Sequence, residues 1–487
     1  MITRRTALVG MGAALTAPLA IRAFGETYTP PPFGPQITPV SDPQRVNLEL
    51  IAKERMINLP AFEGRAMPLW TFGDEFAPIV RMRLGDVLAT KLTNELPKAT
   101  EHTSIHWHGL RIPNDQDGVP YISQPPVNPG ESWEYEFTPP DAGTYFFHTH
   151  CNTVEQLGRG LAGIIIVEGD EVEPFDADEV LVLKDWRIDE NNAFMPFFTP
   201  EGASKRGSFG TIRSCNGATN PTIETPARSD VRLRIVNVDN ARVMMLGVEG
   251  AEAYVIAIDG IACPPFPLET WMLGPAMRFD LLIRTPDTGE TARLVDYFAP
   301  KPIPLATFNS IGPNLREPEF QVRALRAGLI APPDLDNVEK KTFSFSAAAG
   351  KGQIDTPPPN DFEAQLLDSL CLSFQPNWAI NGTVWPSRDH SEVPPPIETL
   401  KLGQTYVFQL KNLSSVHHPI HIHGHTFTVL KSNKRRHLPP HFSDTILLAP
   451  KERVYVAFVA DNPGDWMFHC HLIEHQETGM MSYLRVE

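Results

Sequence analysis

The chain has 487 residues, with 48 prolines and 33 glycines, and 58 acidic against 42 basic side chains give a formal charge of −16. That length is too great for one ordinary domain and predicts about two to four. The acidic balance argues against nucleic acid as a partner, and the proline count favours an all-β chain with many turns over a helical one.

The N-terminus reads as an address. Thr3-Arg4-Arg5 precedes a weakly apolar run from Ala7 to Ala20, small residues follow, and the first acid is Glu26. This layout predicts an export signal of the twin-arginine type over residues 1–25, hence a periplasmic or secreted protein. The run is short and poor in Leu and Phe for a membrane span, so no stable membrane insertion is expected.

Alternating apolar and polar residues then mark short strands. They run at Val46–Ala52, Val80–Leu92, Trp133–Phe137 and Thr144–His148, with a continuous apolar run at Gly163–Val167. Short strands at such spacing predict a β-sandwich or barrel over residues 45–170. A second unit, 175–305, carries strand patterns at Glu179–Trp186, Val231–Val238, Ala253–Ile258 and Arg278–Arg284, and contains no histidine. Residues 306–341 are Pro-rich, weakly patterned and read as a linker. A third unit, 342–487, has strands at Thr342–Ser346, Thr405–Leu410, Thr426–Leu430 and Arg453–Phe458. Short helices are expected at Phe362–Leu370 and Leu472–Gln476. The first and third units share a plan, with one HxH pair early and another on a late strand, which is a coarse internal repeat.

The histidines carry the chemistry. HxH recurs as His106/His108, His148/His150, His421/His423, His423/His425 and His469/His471 among 16 histidines. Chance would give roughly half a pair. On a strand, an i, i+2 pair faces one way with its side chains about 7 Å apart, which suits two neighbouring metals better than one shared ion. Cys470 lies between His469 and His471 and faces the opposite side. With His475, Met480 and one more histidine it offers the His₂Cys and weak axial Met set of a blue-copper site.

His106-Trp-His-Gly, His148-Thr-His, His418-Pro-Ile-His-Ile-His-Gly and His469-Cys-His-Leu-Ile-Glu-His-Gln-Glu-Thr-Gly-Met together resemble the four copper motifs of the multicopper oxidase family, its three-domain bacterial members and laccases most of all. The resemblance spans essentially the whole chain after the signal. It implies three consecutive cupredoxin-like Greek-key β-barrels and four coppers: one type 1, one type 2 and a type 3 pair. It places His418, Cys470 and His475 at the type 1 copper with Met480 axial. His106 and His421 fall at type 2, and His108, His148, His150, His423, His469 and His471 at type 3. It implies one-electron oxidation of phenols or aromatic amines at type 1, coupled to reduction of dioxygen to water at the other three. Cys470, His469 and His471 would carry electrons between the sites. The alternatives are a metallo-oxidase acting on Cu(I), Fe(II) or Mn(II), and a non-catalytic exported scaffold of the same fold. A monomer is expected.

His102, His390, His417, His425, His437 and His441 are left over. They read as surface, turn or supporting residues, with His417 and His425 beside ligand positions. Asp117 matches the family acid near the type 2 copper and could relay protons. Gln476 departs from several bacterial relatives, which carry an acid there; glutamine cannot donate a proton in that way, and Glu477 could substitute, or Glu474 if it turned inward. The basic run Lys434-Arg435-Arg436-His437 reads as a solvated loop. Cys151, Cys215, Cys263 and Cys371 allow several pairings or none, and no disulfide is assigned.

Overall fold

The computed structural model describes residues 36–99, 101–171, 174–348, 377–385, 393–435 and 438–487. The export signal at 1–25, the helix expected at Phe362–Leu370, Cys371, His390, Arg436 and His437 lie outside these residues.

The described chain is nearly all β and forms three successive two-sheet units, as the all-β, cupredoxin-like expectation has it. Each unit repeats one topological device. Its opening strand pairs in parallel with a later strand: Arg45–Ile57 with Val87–Glu95, Ala177–Trp186 with Asp230–Asn237, and Val338–Ala347 with Thr405–Asn412. The opposite sheet carries a second parallel pair: Ile79–Arg83 with Ala162–Glu168, Thr222–Pro226 with Ile303–Ile311, and Glu398–Leu400 with Met481–Val486. Parallel neighbours need a crossover, so the chain crosses between the two sheets of each unit.

Burial follows sheet position. Val87–Glu95 alternates between buried and partly exposed residues, as an outer strand with one face on the core should. Gly143–His148, Arg278–Arg284 and His418–Ile422 are buried at every residue. Their second face is covered by a neighbouring unit.

The linker expected at 306–341 is corrected at both ends. Ile303–Ile311 is a strand that completes a sheet of the second unit, and Val338–Ala347 already belongs to the third. Proline-rich sequence hid the first because Pro304 interrupts its alternation, and the ladder takes a register shift there. The short C-terminal helix forms at Ile473–Glu477.

Strand alternation also places Trp107, between the first two histidines, in the first unit's core. It is fully buried, with Tyr135, Phe137 and Phe147 at centroid distances of 5.4, 5.2 and 5.4 Å. Trp107→Ala is expected to destabilise this unit by about 3–5 kcal/mol, read as a lowered denaturant midpoint in the metal-free protein.

Candidate metal centre

Two antiparallel ladders bring the histidines together. In the first unit His106 lies opposite His148. In the third, His421 lies opposite His469 and Ile420 opposite Cys470. Directly opposed residues share a sheet face. Each ladder therefore presents histidines on one face, and the two faces meet between the first and third units.

The nitrogen atoms converge in groups whose members all lie within 4.8 Å: His108, His148 and His471; His150, His423 and His469; and His106, His108 and His421. His471 Nε2 is 3.3 Å from His148 Nε2, and His423 Nε2 is 3.0 Å from His469 Nε2. The rings of His106 and His423 stack at 3.8 Å, as do those of His108 and His421. On the other face of the Gly464–Cys470 strand, Cys470 Sγ lies 3.6 Å from His418 Nδ1 and 3.9 Å from His475 Nδ1. Met480 is buried in the same core cluster as Cys470, and its carbonyl accepts from the Cys470 N–H at 2.9 Å. Every expected ligand position except Met480 thus falls in a triad, and Met480 lies beside one.

Hydrogen bonds settle which ring nitrogen faces inward. The Nδ1–H groups of His106, His148, His421 and His469 donate to the carbonyls of Asp117, Thr149, Asp444 and Cys470 at 2.9, 2.7, 2.9 and 3.0 Å. His423 Nδ1–H donates to Asp117 Oδ2 at 2.9 Å. A ring whose Nδ1 carries the proton turns its Nε2 lone pair to a metal. In keeping with this, His106 Nε2 and His421 Nε2 are buried with no hydrogen-bond partner among the described residues. The triad around Cys470 is reversed. His418 Nε2 pairs with Ser414 Oγ at 2.8 Å and His475 Nε2–H donates to the Lys205 carbonyl at 3.0 Å, so both Nδ1 atoms face the sulfur.

Burial, reinforced by neighbouring imidazoles, holds His108, His148, His150, His423, His469 and His471 well below the ordinary histidine range. His475 is pushed down to about 3 by burial. These rings are neutral at pH 7, as ligation requires. Burial pushes the Cys470 thiol up, so a metal at that site displaces its proton. A thiolate with two imidazoles and a nearby thioether fits copper, and so does a set of imidazoles with unpartnered inward nitrogens.

Asp117 is buried and touches two of these rings, with Oδ1 3.2 Å from His106 Nδ1 and Oδ2 accepting from His423. Gln476 is fully buried, and its side chain lies beside the His469 ring. Glu474 does not replace it. Its carboxylate faces the second unit, where it accepts from Thr199 N at 3.1 Å, Ser208 Oγ at 2.7 Å and Ser208 N. Glu477 accepts from Val154 N at 2.8 Å. His425 is buried with Nδ1–H on the His423 carbonyl at 3.1 Å, so it does brace a ligand position. His417 does not: it packs on Phe298 at 5.7 Å. His441 is buried rather than superficial. Arg435 is bound to Glu452 at 2.9 Å, so that part of the basic run is anchored and not merely solvated. Cys215, Cys263 and Cys470 are buried free thiols, and Cys151 is buried beside His150 in the chain.

Sequence reasoning missed Asp444, Ser414, Trp378 and the Thr199–Ser208 segment. Trp378 lies over His475 at 4.3 Å and donates its Nε1–H to Ala203 O at 2.6 Å. With the Lys205 carbonyl on its ring, His475 is wholly buried.

The depressed histidines take up protons only when the chain unfolds. The metal-free protein should therefore be most stable above about pH 6.5 and lose stability as pH falls, by up to about 1.4 kcal/mol per pH unit for each such histidine. Urea midpoints measured across about pH 7 to 5 check this.

Comparison with known proteins agrees with the geometry. Multicopper oxidase family models match residues 58–172, 177–293 and 363–487. A multi-copper oxidase from Pseudomonas parafulva is 40% identical, with 90% of this chain and 99% of that chain covered and a TM-score of 0.76. One from Pseudomonas thermotolerans is 37% identical, covering 92% and 100%, with a TM-score of 0.79. A Campylobacter jejuni multicopper oxidase described as a metallo-oxidase is 26% identical, covering 93% and 94%, with a TM-score of 0.74. Four copper motifs on two units, a histidine-free unit between them and these matches lead to one conclusion: the chain belongs to the multicopper oxidase family of copper-dependent oxidoreductases that use dioxygen as acceptor.

Proposed function

We propose that the protein is a monomeric, laccase-like oxidase that takes single electrons from phenolic or aromatic amine donors and passes them to dioxygen. The observation that carries this reading is the placement of Cys470. Its sulfur sits in one triad while His469 and His471, its chain neighbours, sit in two others. In this reading His418, Cys470 and His475, with Met480 beside them, would hold a type 1 copper. His106 and His421 would hold type 2; His108, His148 and His471 would hold one type 3 copper, and His150, His423 and His469 the other. Bound copper supplies the one-electron redox chemistry at the first site and the binding and reduction of dioxygen at the cluster.

The chain's own residues supply the rest. The covalent path from the Cys470 sulfur to either neighbouring imidazole crosses a single peptide link, which favours fast transfer between sites. Burial of the eight cluster histidines limits competition from water there. Reduction of one dioxygen to two waters consumes four electrons and four protons. Asp117, joined to both His106 and His423, is the acid placed to hold a proton beside the cluster.

One observation favours a second reading. His475 is covered by the Thr199–Ser208 segment, so a bulky donor cannot touch its ring. Metal-ion donors need no such contact, and the Campylobacter jejuni relative is described as a metallo-oxidase. Oxygen uptake by the copper-loaded protein on a panel of phenols, aromatic amines, Cu(I), Fe(II) and Mn(II) decides. Saturable turnover confined to the metal ions would replace the laccase-like reading, and no uptake with any donor would leave a scaffold.

Cys470→Ser is expected to lose the thiolate-to-copper absorption while keeping the other three coppers, measured by visible spectroscopy with metal analysis. Zinc, or fewer than three coppers in the loaded wild type, would overturn the assignment.

A further inference from the structure

The second unit contributes no histidine, yet one of its side chains reaches the cluster. Arg278 opens the strand Arg278–Arg284 and is 0% exposed. Every N–H of its guanidinium is used. Nε donates to Thr144 O at 3.3 Å, Nη1 to Ala276 O at 3.2 Å and Asp444 Oδ1 at 3.0 Å, and Nη2 to Asp259 O at 2.9 Å and Asp444 Oδ2 at 2.7 Å. A paired, two-pronged contact of this kind fixes the plane of a carboxylate as well as its place.

Asp444 is the third unit's member of the pair, and it holds two rings of the cluster. Its carbonyl accepts from His421 Nδ1, and its Oδ1 is 3.2 Å from His108 Nε2. Thr445 Oγ1 donates to the same oxygen at 2.8 Å. His108 is therefore turned the opposite way from His106. Its Nε2 carries the proton toward Asp444, and its Nδ1 is buried with no hydrogen-bond partner among the described residues. The two histidines of one HxH pair thus offer different nitrogens, and the difference traces to Asp444.

A glycine of the first unit makes room for the pair. Gly109 follows His108 with φ +87, and a Cβ there would stand 2.3 Å from Arg278 Nη2 and 2.5 Å from Asp444 Oδ2. The fourth residue of His106-Trp-His-Gly is thereby accounted for by contact with the other two units.

We propose that Arg278 is a positioning residue of the trinuclear site, locking Asp444 so that His108 presents Nδ1 and His421 presents Nε2 to the metals. The proposal rests on the copper reading above. Arg278→Lys cannot reproduce the fork, and Asp444→Asn keeps the size and shape of the carboxylate while replacing one acceptor by a donor that opposes Arg278.

The test compares copper-loaded wild type, Arg278→Lys, Arg278→Met and Asp444→Asn by metal content, visible spectrum and electron paramagnetic resonance. The expected result is an unchanged type 1 absorption with a shifted type 2 signal or the loss of at least one copper, larger in Arg278→Met than in Arg278→Lys. Asp444→Asn should give the same pattern and serves if Arg278→Met does not fold. Variants with full copper and the wild-type type 2 signal, even if less heat-stable, would overturn the proposal and leave Arg278 a purely structural bridge. A wild type without the type 1 absorption would overturn the copper reading instead.

Discussion

Neighbouring residues on a β-strand point to opposite faces, and the site depends on that constraint. The strand Gly464–Cys470 has the third unit's core on one side and the first unit on the other. A sulfur placed in the core and imidazoles placed at the interface can then be consecutive in sequence. No helix offers this, because consecutive helical side chains splay about 100° apart on one curved surface. The all-β architecture is thus a requirement of the wiring as well as a container for it.

Placing ten imidazoles in dry interior needs a hydrogen-bond solution for each outward nitrogen. Most of the acceptors are main-chain carbonyls: Asp117, Thr149, Asp444, Cys470 and Lys205. Carbonyls can accept from a ring but never compete for the metal as a second charged ligand would. They also fix the tautomer, which explains why His106, His148, His421 and His469 present Nε2 to the cluster while His475 presents Nδ1 to the sulfur.

That solution also marks the limit of what the sequence discloses. HxH spacing and the His-Cys-His tripeptide identify the ligands because side-chain identity is itself the signal. Main-chain acceptors leave no residue signature, so the Lys205 carbonyl over His475 is invisible until the chain is folded. Arg278 was hidden for another reason. It sits in a strand whose apolar-polar pattern reads as one face out to solvent, and only contact with two other units makes that position interior. Glu474 would serve only by turning inward, and although it is beside His475 in sequence it turns to the Thr199–Ser208 segment. The two-sheet units themselves were legible from alternation, except where Pro304 broke the pattern of a real strand.

The mixed parentage of the triads governs the order of assembly. His148 and His471 are 323 residues apart in the chain, and no triad of the interface can close before the last unit has been made and docked. An ion captured between His148 and His471 acts as a clasp around a loop of 323 of the 487 residues, restricting the unfolded ensemble. Loading of the interface sites consequently follows docking of the units, and the loaded protein should resist unfolding as one body.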